Sequence, residues 1–286
     1  MPQAERDAIL GIPENWISKP ATVMAYIDDL NVIEKIRHSD AVANFSVHKQ
    51  VTHAHAPQSE SFFKQISVRA AELNMRVNEG KTQVLCISSS KSSTVKSYID
   101  GESRVGSGDE LKILGFWFGT APGVGLHIDK TEKKFRQRLW SLRHLKRAGM
   151  STADLIFIYL TILRPVLDFA APAYHSMLTK EQDDRLENLQ RRALKIIFSY
   201  NIDYDSVLER ESIPRLSERR EKMFTNFAVK NSENRRVNDL WFPKKEPTNH
   251  NTRTPLVYVE ERAKTGRLLN SPIYQMRKRL NELLKR

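Results

Sequence analysis

The sequence predicts an α+β fold in which short strands with one packed helix come first and helices take over beyond Gly125. Three observations point to it. Residues 21–118 hold short, β-branched apolar runs separated by turn residues, whereas residues 126–286 place apolar residues at spacings of three and four. The charge follows the same divide. Residues 1–125 carry 13 Lys and Arg against 14 Asp and Glu, a net of −1, and residues 126–286 carry 33 against 20, a net of +13. A strongly basic region is the electrostatic footprint of a polyanion partner. Solvated helix faces on a basic protein give the same count.

At 286 residues the chain can bury a core as one large or two modest domains. Residues 1–20, with Gly11, Pro13 and Pro20, read as an irregular lead-in. Ala21 to Ala25 and Leu30 to Ile33 flank Tyr26-Ile27-Asp28-Asp29, which reads as two strands joined by a tight turn with the carboxylates at its tip. A loop with His48, His53 and His55 follows; no second ligand cluster lies nearby to make them a metal site. The apolar residues of 59–73 fit one helix face only in part, enough for a helix packed on a sheet. Asn78-Glu79-Gly80 is a turn, and Lys81 to Ile87 reads as a buried strand. Asp100-Gly101 marks a hairpin over residues 95–105. Leu111 to Phe118 reads as one further strand, closing an antiparallel sheet over residues 21–125.

Residues 126–231 read as helical. Phe135, Leu139, Leu142 and Leu145 form the apolar stripe of a helix over 128–148 that also carries eight Lys or Arg, with Gly149 as its stop. Its basic face suits nucleic acid, an acidic membrane surface or no partner. Ser151 with Asp154 opens the next helix, whose residues 155–163 are apolar all round and predict burial; Pro165 should kink or end it. Thr179 with Gln182 is a capping box for a helix to Phe198 that buries Leu186, Leu189, Ala193, Ile196 and Ile197. Another helix spans 214–230. Residues 232–270, polar and Asn/Arg-rich, read as irregular or loosely ordered. Residues 271–286 read as a basic helix with Ile273, Met276, Leu280, Leu283 and Leu284 on one face.

Cys86, the single cysteine, lies in an apolar run and reads as a buried inert thiol, so no disulfide can form within the chain. No secretory signal is visible, and the apolar run 155–163 is short of the ~20 residues that span a bilayer. The expectation is an intracellular protein without a membrane partner.

The chemistry concentrates at Asp28 and Asp29. Neighbouring side chains on a strand point to opposite faces, so one carboxylate does most of the work unless the turn rotates both together. Mg²⁺ takes octahedral oxygen ligands and is held by one or two carboxylates plus substrate phosphates. A hairpin tip supplies half of such a site. Asp-Asp is also an ordinary turn pair.

Taken in order, these motifs resemble the second half of a reverse transcriptase palm of the non-LTR retrotransposon type. Tyr26-Ile27-Asp28-Asp29 resembles that family's aromatic-x-Asp-Asp box, Asn78-Glu79-Gly80-Lys81-Thr82 its next motif, and Leu111-Lys112-Ile113-Leu114-Gly115-Phe116 its primer grip. Ile158 to Ala170 and Leu189 to Ile197 resemble its thumb and connecting helices. The resemblance spans roughly residues 20–230. It implies a partial palm followed by an all-α thumb and connection, and RNA-directed DNA polymerase activity in the complete protein.

Residue by residue, the resemblance makes Asp28 a Mg²⁺ ligand and Asp29 its companion, and sets Lys81 near the phosphates of an incoming dNTP. An exposed lysine at a strand start is the plainer reading of Lys81. Lys112, Leu114 and Gly115 would steady the primer end. Lys130, Lys133, Lys134, Arg136, Arg138, Arg143, Lys146 and Arg147 would track phosphates of an RNA template and DNA primer. The family's location implies the nucleus.

One departure matters. The family draws an opposing aspartate and its fingers from earlier segments, and the 25 residues before Tyr26 cannot contain them. Two-metal transfer holds its ions about 3.5 to 4 Å apart between carboxylates, so the expectation is a missing N-terminal polymerase portion and little activity alone. The alternatives are a noncatalytic nucleic-acid-binding module derived from such an enzyme, and a nonfunctional fragment with an unpaired sheet edge.

Overall fold

The computed structural model describes residues 21–26, 29–34, 67–68, 71–72, 76, 83–85, 106–107, 110–199, 203–234, 241–245 and 257–284. Among them helix predominates over a few short strands, an arrangement compatible with the α+β class. The chain divides into two compact units, Met1–Lys112 with Gly119–Pro122, and Ile113–Phe118 with Gly123–Arg286.

In the first unit β1 (Ala21–Tyr26) and β2 (Asp29–Glu34) pair antiparallel, with Ala21 opposite Glu34 and Tyr26 opposite Asp29. Ile27 and Asp28, between the two strands in sequence, lie outside the described residues. β3 (Gln83–Val84) pairs in parallel with β4 (Gly106–Ser107), which departs from the expected antiparallel sheet. Residues 67–68 and 71–72 are helical, inside the helix expected over 59–73. The lead-in, the three loop histidines, Cys86 and the expected hairpin of 95–105 lie outside the described residues.

The stretch expected as one strand over 111–118 is two. β5 (Glu110–Ile113) and β6 (Phe116–Gly119) pair through the turn Leu114–Gly115. Both turn residues have positive φ, 47° and 89°, the signature of a type I′ turn. Leucine disfavours that region for its Cβ, so apolar continuity hid the turn. Gly115 meets a second demand, because a Cβ there would lie 2.8 Å from the Phe169 ring.

Helix α1 (Gly125–Arg147) begins three residues before the expected start and ends as expected. Gly149 adopts φ 85°, and the N–H groups of Gly149 and Met150 donate to Lys146 and Leu145 at 3.0 and 3.2 Å. That bond pair is a Schellman stop. The next helix opens at Ser151, whose hydroxyl accepts from the Asp154 N–H at 3.2 Å. α2 (Thr152–Ile158) runs into a π-helical turn, Tyr159–Leu163, and then α3 (Arg164–Asp168). Proline 165 removes a backbone donor and crowds the preceding turn; the wider π turn upstream accommodates it, so the chain stays helical past it.

Residues 155–163 are not buried all round. Leu155, Tyr159 and Leu163 face the core, whereas Phe157 is 67% exposed and Ile162 51%. By length and composition the helical stretch Thr152–Met177, 26 residues, passes the test for a membrane span, which the apolar run alone does not; its inner face packs in protein. After α4 (Ala171–Tyr174) and a 3₁₀ turn, α5 (Lys180–Phe198) opens with Thr179 and Gln182 bonded reciprocally at 3.2 and 3.0 Å. All five residues expected in its buried stripe are buried.

α6 (Tyr204–Arg210) and α7 (Leu216–Ser232) complete the main core, in which Phe135, Leu139 and Leu142 of α1 meet α2, the π turn and α5. A second, smaller core takes in two residues of the 232–270 segment. Phe242 and Tyr258 are buried with Phe224 and Ala228 of α7 and with Met276 and Leu280 of α9 (Pro272–Leu283), which follows the short α8 (Gly266–Leu269). Lys244 and Tyr258 form an antiparallel bridge. Both aromatics are core residues within a polar stretch, a pattern that mean polarity conceals. Leu283 and Leu284, expected on the inner face, are exposed because α9 ends there.

Replacing Phe242 with Ala should therefore lower unfolding free energy by about 3–5 kcal/mol in urea titrations. A loss under about 0.5 kcal/mol, usual for a surface residue, would mean the segment is unpacked.

Candidate nucleic-acid interface

α1 carries the densest positive charge among the described elements, and its packing decides which charges are presented. Ile128, Thr131, Phe135, Leu139 and Leu142 are buried. On the opposite side, at alternating steps of three and four, Lys133, Arg136, Trp140, Arg143 and Arg147 make one exposed stripe. It runs about 21 Å along the helix at 1.5 Å per residue. Lys133, Lys134, Arg143 and Arg147 have no ion-pair or hydrogen-bond partner among the described residues.

The other four expected phosphate contacts are engaged within the protein. Arg138 donates to the Ile162 carbonyl beside the π turn. Lys146 donates to the carbonyls of Ile196 and Ile197 and to Ser199 Oγ, the last at 3.0 Å. Carbonyls in the last turn of a helix lack intrahelical donors, so Lys146 caps α5. Lys130 lies over the Trp117 ring at 4.8 Å, a cation–π contact. Arg136 shares Glu132 with Arg185, which also donates to Asp129 at 2.6 Å. Burial pushes the Glu132 carboxyl up, but hydrogen bonds from Arg185 and Arg136 outweigh it and hold the group below the usual carboxylate range. These acids with Lys133, Arg136, Gln137 and Arg185 line a shallow cleft. Charge at the first half of α1 is thus partly balanced, and the cations without a partner among the described residues fall two to each half, Lys133 and Lys134 before the midpoint and Arg143 and Arg147 after it.

The arm behind α1 is locked by polar contacts that sequence reasoning missed. Gln190, fully buried on α5, accepts from the Tyr159 hydroxyl at 2.5 Å and donates to Tyr204 Oη at 2.9 Å and to the Pro214 carbonyl at 3.1 Å. Tyr204 donates to Glu187, whose other oxygen accepts from the Leu216 N–H at 3.0 Å. Burial raises both phenols, so each stays a donor. Asp168 accepts from Arg219 at 2.7 Å, and buried Arg220 pairs with Asp183. One network thereby ties the π turn, α5, α6 and α7 together.

Asp29 is the first residue of β2, while Asp28 and Lys81 lie outside the described residues. Lys112 and Leu114 are exposed and Gly115 is half-buried against Phe169. Among the described residues no three His, Cys, Asp or Glu side chains gather as a metal group. As a donor set Asp28 and Asp29 offer hard carboxylate oxygens, which fit Mg²⁺.

Two further residues escaped the sequence reading. Trp140 is 59% exposed in the middle of the stripe, and its ring centroid is 3.7 Å from that of His144. The only signal was its phase, one turn from Arg136 and Arg143. His127 is buried, stacks on Phe116 at 4.0 Å between centroids, and has its Nδ1 3.5 Å from the Trp117 N–H. Burial lowers its pKa from 6.5 to about 4, against a hydrogen bond to the Phe169 backbone that pulls upward. The folded state keeps this ring neutral while the unfolded chain protonates it, so stability falls as pH drops from about 6.5 towards 4. Urea titrations at pH 7 and 4.5 should show a drop up to about 2 kcal/mol larger in the wild type than in His127→Phe; equal drops would contradict the neutral buried ring.

The division of α1's cations is open to the same measurement. Lys146→Met should cost about 1–2 kcal/mol of stability, as loss of charged hydrogen bonds does, and Arg147→Ala should stay within about 0.5 kcal/mol. Equal costs would contradict the division. No family model, curated protein or solved structure matches this chain.

Proposed function

We propose that the chain is a palm-and-thumb portion of a reverse transcriptase of the non-LTR type, an RNA-directed DNA polymerase, whose helical arm holds an RNA template and DNA primer. The observation that carries the reading is the stripe on α1, where exposed cations stand at one-turn spacing on either side of Trp140 on a helix whose other side is packed. Such spacing suits a phosphate backbone, and the lock around Gln190 gives the stripe a rigid base. The order of the Asp28-Asp29 box, Lys81 and the Lys112 to Gly115 segment supports the enzymatic ancestry.

In this reading Asp28 and Asp29 hold Mg²⁺, which when bound neutralises charge at the reacting phosphates. Lys81 sits at the phosphates of the incoming dNTP, and Lys112, Leu114 and Gly115 support the primer end. Lys133, Lys134, Arg143 and Arg147 contact phosphates.

A noncatalytic binding module is the second reading. It is favoured by the fact that α1 and both cores belong to one unit that excludes the acidic hairpin.

Binding of a DNA primer annealed to an RNA template across a salt series tests the shared claim. Four phosphate contacts give a slope of log K against log salt of about −3.6, and Arg143→Ala should shrink it by about 0.9. A flat salt response would sink both readings. With dNTP present, Mg²⁺ should tighten the wild-type complex and leave Asp28→Asn unchanged; if Mg²⁺ acts equally on both, the binding module stands and the polymerase reading falls.

A further inference from the structure

The stripe of α1 is not purely cationic, and its centre is the informative part. Trp140 stands between Arg136 and Arg143, with Lys133 two turns before it and Arg147 two turns after. Each arm of the stripe is about 10 Å long. The indole is 59% exposed, and His144 lies against it with centroids 3.7 Å apart at an interplanar angle of 36°. His144 Nδ1 lies 3.0 Å from the Trp140 carbonyl, a donor to that oxygen, which fixes the imidazole one turn along. Two aromatic rings held in place amid exposed cations form a platform that no internal contact of the described fold uses as core.

We propose that Trp140 stacks an unpaired base, so that the outer face of α1 takes a single-stranded stretch of nucleic acid by a contact that a duplex cannot make. The inference rests on the nucleic-acid reading of the arm but not on polymerase ancestry. A duplex offers a helix its phosphates and groove edges, and its bases already stack on each other. A single strand offers exposed π-faces, and aromatic residues within basic grooves take them whatever the base. Lys133 and Arg147 then flank the stacked base with phosphate contacts. A lipid surface fits poorly: an interfacial helix sinks its apolar face into the bilayer, and that face of α1 is Phe135, Leu139 and Leu142, already buried.

Fluorescence anisotropy with the full chain, using a labelled single-stranded RNA, the matched duplex and anionic phospholipid vesicles, decides it. Trp140→Ala should weaken single-strand binding about fivefold or more, as removing one stacking partner does, while changing duplex binding less than about twofold and leaving the salt slope intact. Trp140→Phe should retain most of the affinity. Far-ultraviolet circular dichroism and melting temperature should match the wild type, since the indole is on the surface. Equal losses on both ligands, or none on either, would overturn the stacking role while leaving the nucleic-acid reading in place. Wild-type chain that binds vesicles and neither nucleic acid would overturn both.

Discussion

The packing of one side of α1 into the main core is the constraint from which the rest follows. Phe135, Leu139 and Leu142 are buried, and each contributes roughly 1.5–3 kcal/mol on burial. An exposed ion pair contributes about 0–1 kcal/mol. Apolar burial therefore sets the rotation of the helix, and the cations take the angles left over. Steps of three and four then line up Lys133, Arg136, Trp140, Arg143 and Arg147, while Arg138 and Lys146 turn towards the protein.

Those inward cations serve the fold at points where the backbone needs donors. Lys146 meets the last turn of α5, and Arg138 meets the carbonyl of Ile162 near the π turn that accommodates Pro165. Behind them Gln190 and Glu187 join four helical segments through buried hydrogen bonds. Breaking such a network at one member leaves the others unsatisfied in a poorly solvated interior. A rigid arm results, and a rigid arm keeps its outer charges at fixed spacing.

Local signals in the sequence were readable where a motif closes on itself. Thr179 with Gln182, Gly149 after α1, and the Leu186 to Ile197 stripe each announce a helix end or face within a few residues, and each stands as expected. Signals that depend on distant partners were not readable. The turn at Leu114–Gly115 lies within an unbroken apolar run, and Phe169, more than fifty residues away, is what excludes a side chain at Gly115. Phe242 and Tyr258 are isolated aromatics in a polar stretch, and only α7 and α9 make them core. At the candidate interface the eight cations of α1 are legible as a group, but not which four stand exposed without a partner among the described residues. Their division depends on α5 and on the π turn. Trp140 is not legible as a surface ring, because a tryptophan in an amphipathic helix reads as core until its angle is known.

Lysine footprinting with and without single-stranded RNA tests the central claim most directly, since it reads the bound face without any substitution. The account predicts that RNA protects Lys133 and Lys134 from acetylation while the exposed Lys195, Lys222 and Lys278 on α5, α7 and α9 keep their reactivity. Protection of those three with Lys133 and Lys134 unchanged would contradict it.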